Sequence, residues 1–121
     1  MEQKLTLSIE YKENGVSIIS EVDSNGKKWI ETQYLDCKKH GFHRECRYDG
    51  ALCYNHIYEH GELVRWRYYI DNNVLIMDIG IKNDRHHGFK MHHHYKKNFL
   101  EFDTCKNGIR NGIYISFIFR L

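Results

Sequence analysis

The sequence predicts an all-β fold: an antiparallel meander of about five β-hairpin repeats in one curved sheet. Turn dipeptides recur at a nearly constant spacing, and the segments between them have the length and polar–apolar alternation of strands. No window carries a sustained apolar stripe at helical spacing, so we expect little or no helix. The 121 residues are predicted to form a single domain, 1–121. A closed β-barrel is the alternative architecture, because about ten twisted strands could curl that far.

The turn signals form two interleaved series. The first consists of Asn14-Gly15, Lys38-Lys39, His60-Gly61, Asn83-Asp84 and Asn107-Gly108, which are 23 or 24 residues apart. The second consists of Asn25-Gly26, Asp49-Gly50, Asn72-Asn73 and Lys97-Asn98, which are 23 to 25 residues apart. Asn-Gly and Asp-Gly accept positive φ at both central positions and suit the type I′ turn of a β-hairpin. Each repeat is therefore predicted to be one hairpin.

The segments between these turns are the predicted strands, and each is long enough for a strand and alternates in polarity. In chain order they are 5–12, 17–23, 28–35, 42–48, 51–59, 65–70, 74–82, 89–95, 99–106 and 113–120. The lack of proline is compatible with paired strands throughout.

Superposing the repeats aligns their side chains in columns. Phe42, Trp66 and Phe89 fall in one column, and Arg44, Tyr68 and Met91 fall in the next column of the same face. The intervening positions are mostly polar, which predicts one apolar, aromatic face and one wet face. We expect these six residues to form a partner-binding surface.

Four blocks of sequence carry a family resemblance: HGFHRECRYDGALC, VRWRYYIDNNVLI, HGFKMHHHYKKNFLEF and NGIRNGIYISFIF. They resemble the variant MORN repeat, a β-hairpin unit that pairs a glycine and aromatic residues with Asn-Gly turns, and the resemblance is clearest over 26–119. It implies an interaction role, since proteins of this class are often labelled antitoxin-like in bacteria. The sequence departs from the pattern where Arg65 replaces the glycine found at Gly41, Gly88 and Gly112. We expect a wider or bulged corner there.

The net charge and the lack of catalytic motifs exclude several classes of function. A net charge of +2 excludes the strongly basic footprint of a dedicated nucleic-acid binder. No local catalytic signature is present, so we expect no enzyme, no catalytic residues and no cofactor. The chain is predicted to bind a protein stoichiometrically, as an antitoxin, an immunity protein or a phage-encoded inhibitor of a host defence nuclease. Its partner would be a toxin or a nuclease, and self-association through the sheet edges is the competing outcome.

Single-stranded nucleic-acid binding is the first alternative function. It is suggested by Arg65, Trp66, Arg67, Tyr68 and Tyr69, because such proteins stack bases on aromatic rings between cations. The alternation of a strand, however, places the two arginines on the face opposite Trp66 and Tyr68.

Metal binding by the nine histidines is the second alternative. The string Cys37, His40, His43 and Cys46 has ligand types that suit zinc, but residues three apart on a strand point to opposite faces. We therefore expect no structural metal. If an ion binds, the expected group is His86, His87, His92 and His94, since His92 and His94 share a face.

The N-terminus alternates polar and apolar residues and does not have the form of a signal peptide. The longest uncharged apolar segment, 112–119, is too short to span a bilayer as a helix. We expect a cytoplasmic protein that has no membrane span and keeps its four cysteines as thiols.

Overall fold

The computed structural model describes residues 4–46, 51–70 and 73–118. Ten strands form one antiparallel sheet, in which the spatial order follows the chain from β1 to β10. The strands are β1 (Thr6–Tyr11), β2 (Val16–Val22), β3 (Lys28–Leu35), β4 (Lys38–Cys46), β5 (Leu52–Glu59), β6 (Glu62–Ile70), β7 (Val74–Lys82), β8 (Arg85–His94), β9 (Phe99–Lys106) and β10 (Ile109–Ile118). The predicted all-β meander is confirmed. The alternative of a closed barrel is wrong, because β1 and β10 are the two open edges of the sheet.

Left-handed residue pairs turn the chain at one end of the sheet, as the Asn-Gly signals predict. Asn107 and Gly108, for example, have φ of 53° and 85°. The turn before β4 lies at Asp36 and Cys37, with φ of 48° and 69°, and not at Lys38-Lys39, which belongs to the strand. At the opposite end, β8 and β9 are joined by a short 3₁₀ turn, Tyr95–Lys97. The predicted Asp49-Gly50 turn and Asn72 lie outside the described residues.

Bulges near the start of alternate strands decide which way the side chains point. In β4, the three residues 40–42 lie opposite the single residue Gln33 of β3, since Tyr34 pairs with Lys39 and Thr32 with His43. Strands β8 and β10 contain the same two-residue excess. Each of these three bulges includes a glycine at positive φ: Gly41, Gly88 and Gly112.

Strand β6 has Arg65 in place of that glycine and carries a smaller bulge. Tyr58 pairs with Leu63 and Ile57 with Arg65, so only one residue, Val64, is in excess. The bulge of β6 contains one residue fewer than the bulges of β4, β8 and β10. Every side chain that follows it in β6 therefore points to the opposite face, because strand side chains alternate with a period of two. The departure that the sequence shows at Arg65 is therefore a change of register.

Directly paired residues lie on one face of a sheet, so the register defines two faces. The histidine face carries His43, His56, Trp66, Ile79, His92 and Glu101. The phenylalanine face carries Phe42, Ile57, Arg65, Asp78, Met91 and Phe102. Among the described residues the buried apolar side chains are Ile79 and Cys105 alone, at 2% and 9% exposure, so most side chains of both faces are only half-buried.

Within the described ranges, no helix has the length and apolar character required to cross a membrane.

Candidate functional site

The six residues predicted to share a partner-binding face lie on two faces. Phe42 and Arg44 of β4 and Phe89 and Met91 of β8 are on the phenylalanine face. Trp66 and Tyr68 of β6 are on the histidine face, so the prediction of one shared face was wrong for these two. The cause is the smaller bulge of β6, which shifts the alternation by one residue relative to β4 and β8.

Trp66 and Tyr68 belong to a continuous group of rings on the histidine face, which we call the aromatic row: His43, Tyr54, His56, Trp66 and Tyr68. His43 stacks on His56 with ring centroids 6.2 Å apart, and His56 stacks on Trp66 at 5.9 Å. Trp66 stacks on Tyr68 at 6.5 Å, and Tyr54 lies 5.3 Å from both His56 and Tyr68. The row thus crosses three neighbouring strands, β4, β5 and β6.

Hydrogen bonds and burial determine the electrostatics at one end of the row. His43 Nδ1 shares a hydrogen bond of 2.7 Å with Thr32 Oγ1, and His43 Nε2 lies 3.2 Å from Glu45 Oε1. Burial, helped by the neighbouring His43, lowers the pKa of His56 to about 4. His56 is therefore neutral at pH 7, and its buried Nδ1 has no hydrogen-bond partner among the described residues.

The phenylalanine face is divided by charge. Arg65 makes two hydrogen bonds to Asp78, of 2.6 and 3.0 Å, and Arg67 makes a third of 3.5 Å to the same carboxylate. Both arginines lie on the face opposite Trp66 and Tyr68, as the strand alternation predicts. A nucleic-acid site that combines these cations with these rings is therefore not assembled on one surface.

An apolar patch lies on the phenylalanine face beyond this charged centre. Phe89 packs on Phe102 with ring centroids 5.4 Å apart, and an open cavity of about 200 Å³ is lined by these rings with Thr104 and Ile115. On β4, the Arg44 guanidinium lies 3.9 Å above the ring of Phe42.

The structure brings only some of the predicted metal ligands together. Among the described residues, the set of potential ligands that converges is His92, His94 and Glu101, whose donor atoms all lie within 4.8 Å of one another. His86 and His87 lie toward the other end of β8. His86 pairs with Ile81 and His92 with Met77, four residues apart on β7, so His86 and His92 are separated by roughly 13 Å at about 3.3 Å per residue. The string Cys37, His40, His43 and Cys46 does not converge, and its cysteines are free.

Three residues of these clusters were not predicted: Tyr54, His56 and Glu101. Each joins its cluster through pairing between strands, with Tyr54 opposite Tyr68, His56 opposite His43 and Glu101 opposite His92. No spacing within a single strand would have indicated them.

No protein-family model matches the chain, and no curated protein sequence matches it significantly. A solved structure with a similar fold is a mutant of TarM from S. aureus, in complex with fondaparinux, α-GlcNAc-glycerol and UDP. The likeness has a TM-score of 0.51 and 18% sequence identity, and it covers 67% of this chain and 16% of TarM. The chain thus spans a small part of TarM's length, and at this identity the likeness shows the fold alone.

Proposed function

We propose that the protein is a stoichiometric protein-binding module that covers a surface of its partner with the aromatic row. The continuous ring stack over three strands is the observation that carries this proposal. Tyrosine and tryptophan are enriched at the energetic centres of protein interfaces, where aromatic anchors are buried in the partner.

The row is suited to binding because its rings are held before a partner arrives. Each ring is half-buried and contacts at least one neighbouring ring, so its rotamer is already restricted. Fixing a free side chain at an interface costs roughly 0.5–1.5 kcal/mol, and a preorganised row avoids part of that cost.

The partner is proposed to be a toxin or a nuclease, with this chain acting as an antitoxin, an immunity protein or a phage-encoded inhibitor. The resemblance of the sequence to the variant MORN repeats supports this proposal. We also propose a cytoplasmic location. Four free cysteines suit the reducing compartment that this location implies.

The test begins with affinity purification from the native host, and the recovered partner is then produced recombinantly for calorimetry. Tyr68→Ala should weaken binding by about 2 kcal/mol, which is roughly 30-fold, while its melting curve stays close to that of the wild type. Arg44→Glu on the phenylalanine face is the matched control and should bind as the wild type does.

Three results would contradict the proposal. Unchanged affinity in a folded Tyr68→Ala variant, together with loss in Phe89→Ala or Met91→Ala, would make the phenylalanine face the working surface. Single-stranded oligonucleotide binding with a steep salt dependence, abolished by Tyr68→Ala, would favour the nucleic-acid function. If sedimentation shows a stable oligomer for the wild type and a monomer for Tyr68→Ala, the aromatic row would be a surface for self-association.

A further inference from the structure

Three potential metal ligands meet on the histidine face near the end of β8. His92 and His94 are two residues apart on one strand, so their side chains project from the same face, with ring centroids 4.0 Å apart. Glu101 lies on β9 directly opposite His92. Two imidazoles and one carboxylate are thus presented by adjacent, hydrogen-bonded strands.

The spacing of the donor atoms is close to what one ion requires. Bonds of about 2.0–2.1 Å at tetrahedral angles place two ligand atoms about 3.4 Å apart. The donor atoms of His92, His94 and Glu101 lie within 4.8 Å of one another, so side-chain rotations that shorten the longest separation by roughly 1.4 Å would complete the arrangement. His94 Nε2 already contacts Glu101 Oε1, which shows that these two side chains reach a common point.

The surroundings orient the carboxylate and leave room for water. The Tyr114 hydroxyl donates a hydrogen bond of 2.9 Å to Glu101 Oε2, so an ion would bind at Oε1 in place of the hydrogen bond that joins Oε1 to His94 Nε2. A hydrogen-bond partner of this kind typically fixes the orientation of a metal-ligating side chain and strengthens metal binding. A cavity of about 40 Å³, lined in part by His92 and Glu101, adjoins the group and is large enough for a water molecule.

The charges at the site suit a cation. Metal ligands bind in their deprotonated forms, and the Glu101 carboxylate places a negative charge beside the two imidazoles. Two cationic side chains, Arg110 and Lys90, also line the cavity. Arg110 donates a hydrogen bond of 3.0 Å to Asp103, and Lys90 of β8 pairs with Asp103 of β9 in the sheet.

We propose that His92, His94 and Glu101 form a binding site for a late first-row divalent metal ion such as Zn²⁺, with water at the open coordination position. Imidazole ligands select Zn²⁺, Cu²⁺ or Ni²⁺ over Mg²⁺ and Ca²⁺, which prefer sites made entirely of oxygen. The site is exchangeable and not structural, because the strands that carry it are held by their own backbone hydrogen bonds. It is independent of the proposed protein partner.

The test titrates ZnCl₂ into full-length protein without a histidine tag, by calorimetry at pH 7.5. We expect one equivalent to bind to the wild type, with MgCl₂ giving no saturable signal. His94→Gln and Glu101→Gln should abolish saturable binding, and Tyr114→Phe should weaken it about 10- to 100-fold. His86→Gln is the matched control, an exposed histidine on the same strand, and should bind as the wild type does.

Two further measurements separate a site from diffuse histidine binding. Circular dichroism and melting curves establish that each variant is folded. Glu101→Gln is chosen because the amide oxygen can still accept the hydrogen bond from the Tyr114 hydroxyl. Imidazole nitrogen resonances of the wild type should shift for His92 and His94 on adding Zn²⁺, and not for His86. Absence of saturable Zn²⁺ binding by the wild type would overturn the proposal, as would an equal loss in His86→Gln and His94→Gln.

Discussion

The His56 side chain should make folding sensitive to pH below neutrality. It lies within the aromatic row on β5, with the His43 ring on one side and the Trp66 ring on the other. Burial and the neighbouring His43 lower its pKa to about 4, and its buried Nδ1 has no partner among the described residues. His56→Phe therefore removes the titrating group, keeps an aromatic ring in the row and breaks no hydrogen bond at that nitrogen.

The sign and size of the effect follow from the two pKa values. The folded-state pKa of about 4 lies below the unfolded value of about 6.5, so as the pH falls the unfolded chain is protonated first. The contribution of neutral His56 to stability is complete above pH 6.5 and is lost as the pH falls towards 4. Between pH 7 and pH 5 the largest loss is about 2 kcal/mol, and partial solvent exposure reduces the expected value to about 1 kcal/mol.

Urea unfolding at pH 7 and pH 5 measures this contribution as a difference between two proteins. The wild type should lose about 1 kcal/mol more than His56→Phe over this interval. His92, whose pKa is also lowered, is present in both proteins and cancels in the comparison. The exposed His86→Gln variant should behave as the wild type does. An identical loss in wild type and His56→Phe would refute the assignment of a neutral, buried imidazole to the row.

Two further predictions concern the sheet. A Cβ on Gly80 would lie 2.2 Å from the carbonyl oxygen of His87 on β8, so Gly80→Ala should cost about 2–3 kcal/mol. Gly26→Ala, with φ of +83° and no atom within 4 Å of the added Cβ, should cost only about 1 kcal/mol, and the reverse order in thermal melts would contradict this. Asp23 accepts hydrogen bonds from the backbone N–H groups of Asn25 and Lys27 through Oδ1 and from the Trp29 indole through Oδ2. Asp23→Ala should therefore lower the urea midpoint more than Asp23→Asn, which retains Oδ1, and equal midpoints would count against this role.

The strands could be predicted where local turn chemistry determines them. The bounds of β3, β7 and β9 agree with the predicted segments 28–35, 74–82 and 99–106. Strands β4, β6, β8 and β10 begin three or four residues earlier than predicted, because pairing continues through the bulge near the start of each strand. A glycine inside a strand has the same sequence signature as a turn, so a single sequence cannot separate the two. The left-handed pair Asp36 and Cys37 was missed because cysteine is not a usual turn residue.

The candidate sites were predictable only within single strands. His92 and His94 share a face because they are two residues apart on one strand, a relation that the sequence alone shows, and metal binding by them stays a prediction. Glu101 joins them through the register between β8 and β9, which depends on the bulges of both neighbouring hairpins. The faces of Trp66 and Tyr68 depend in the same way on how many residues the bulge of β6 contains, and the repeat alignment assumed that number to be constant.

The residue that breaks the repeat pattern is the one that allows the aromatic row to form. A glycine at position 65 with the two-residue bulge of β4 would turn Trp66 and Tyr68 to the phenylalanine face, away from His56 and Tyr54. The same change would remove the Arg65 guanidinium, and Asp78 would lose its two shortest hydrogen bonds. The Asp78 side chain is only 13% exposed. Removing one partner of a largely buried charged pair is costly, because the remaining charge stays poorly solvated. The pairing of Arg65 with Asp78 on one face and the ring stack on the other therefore favour the same register of β6, and each stabilises the geometry that the other requires.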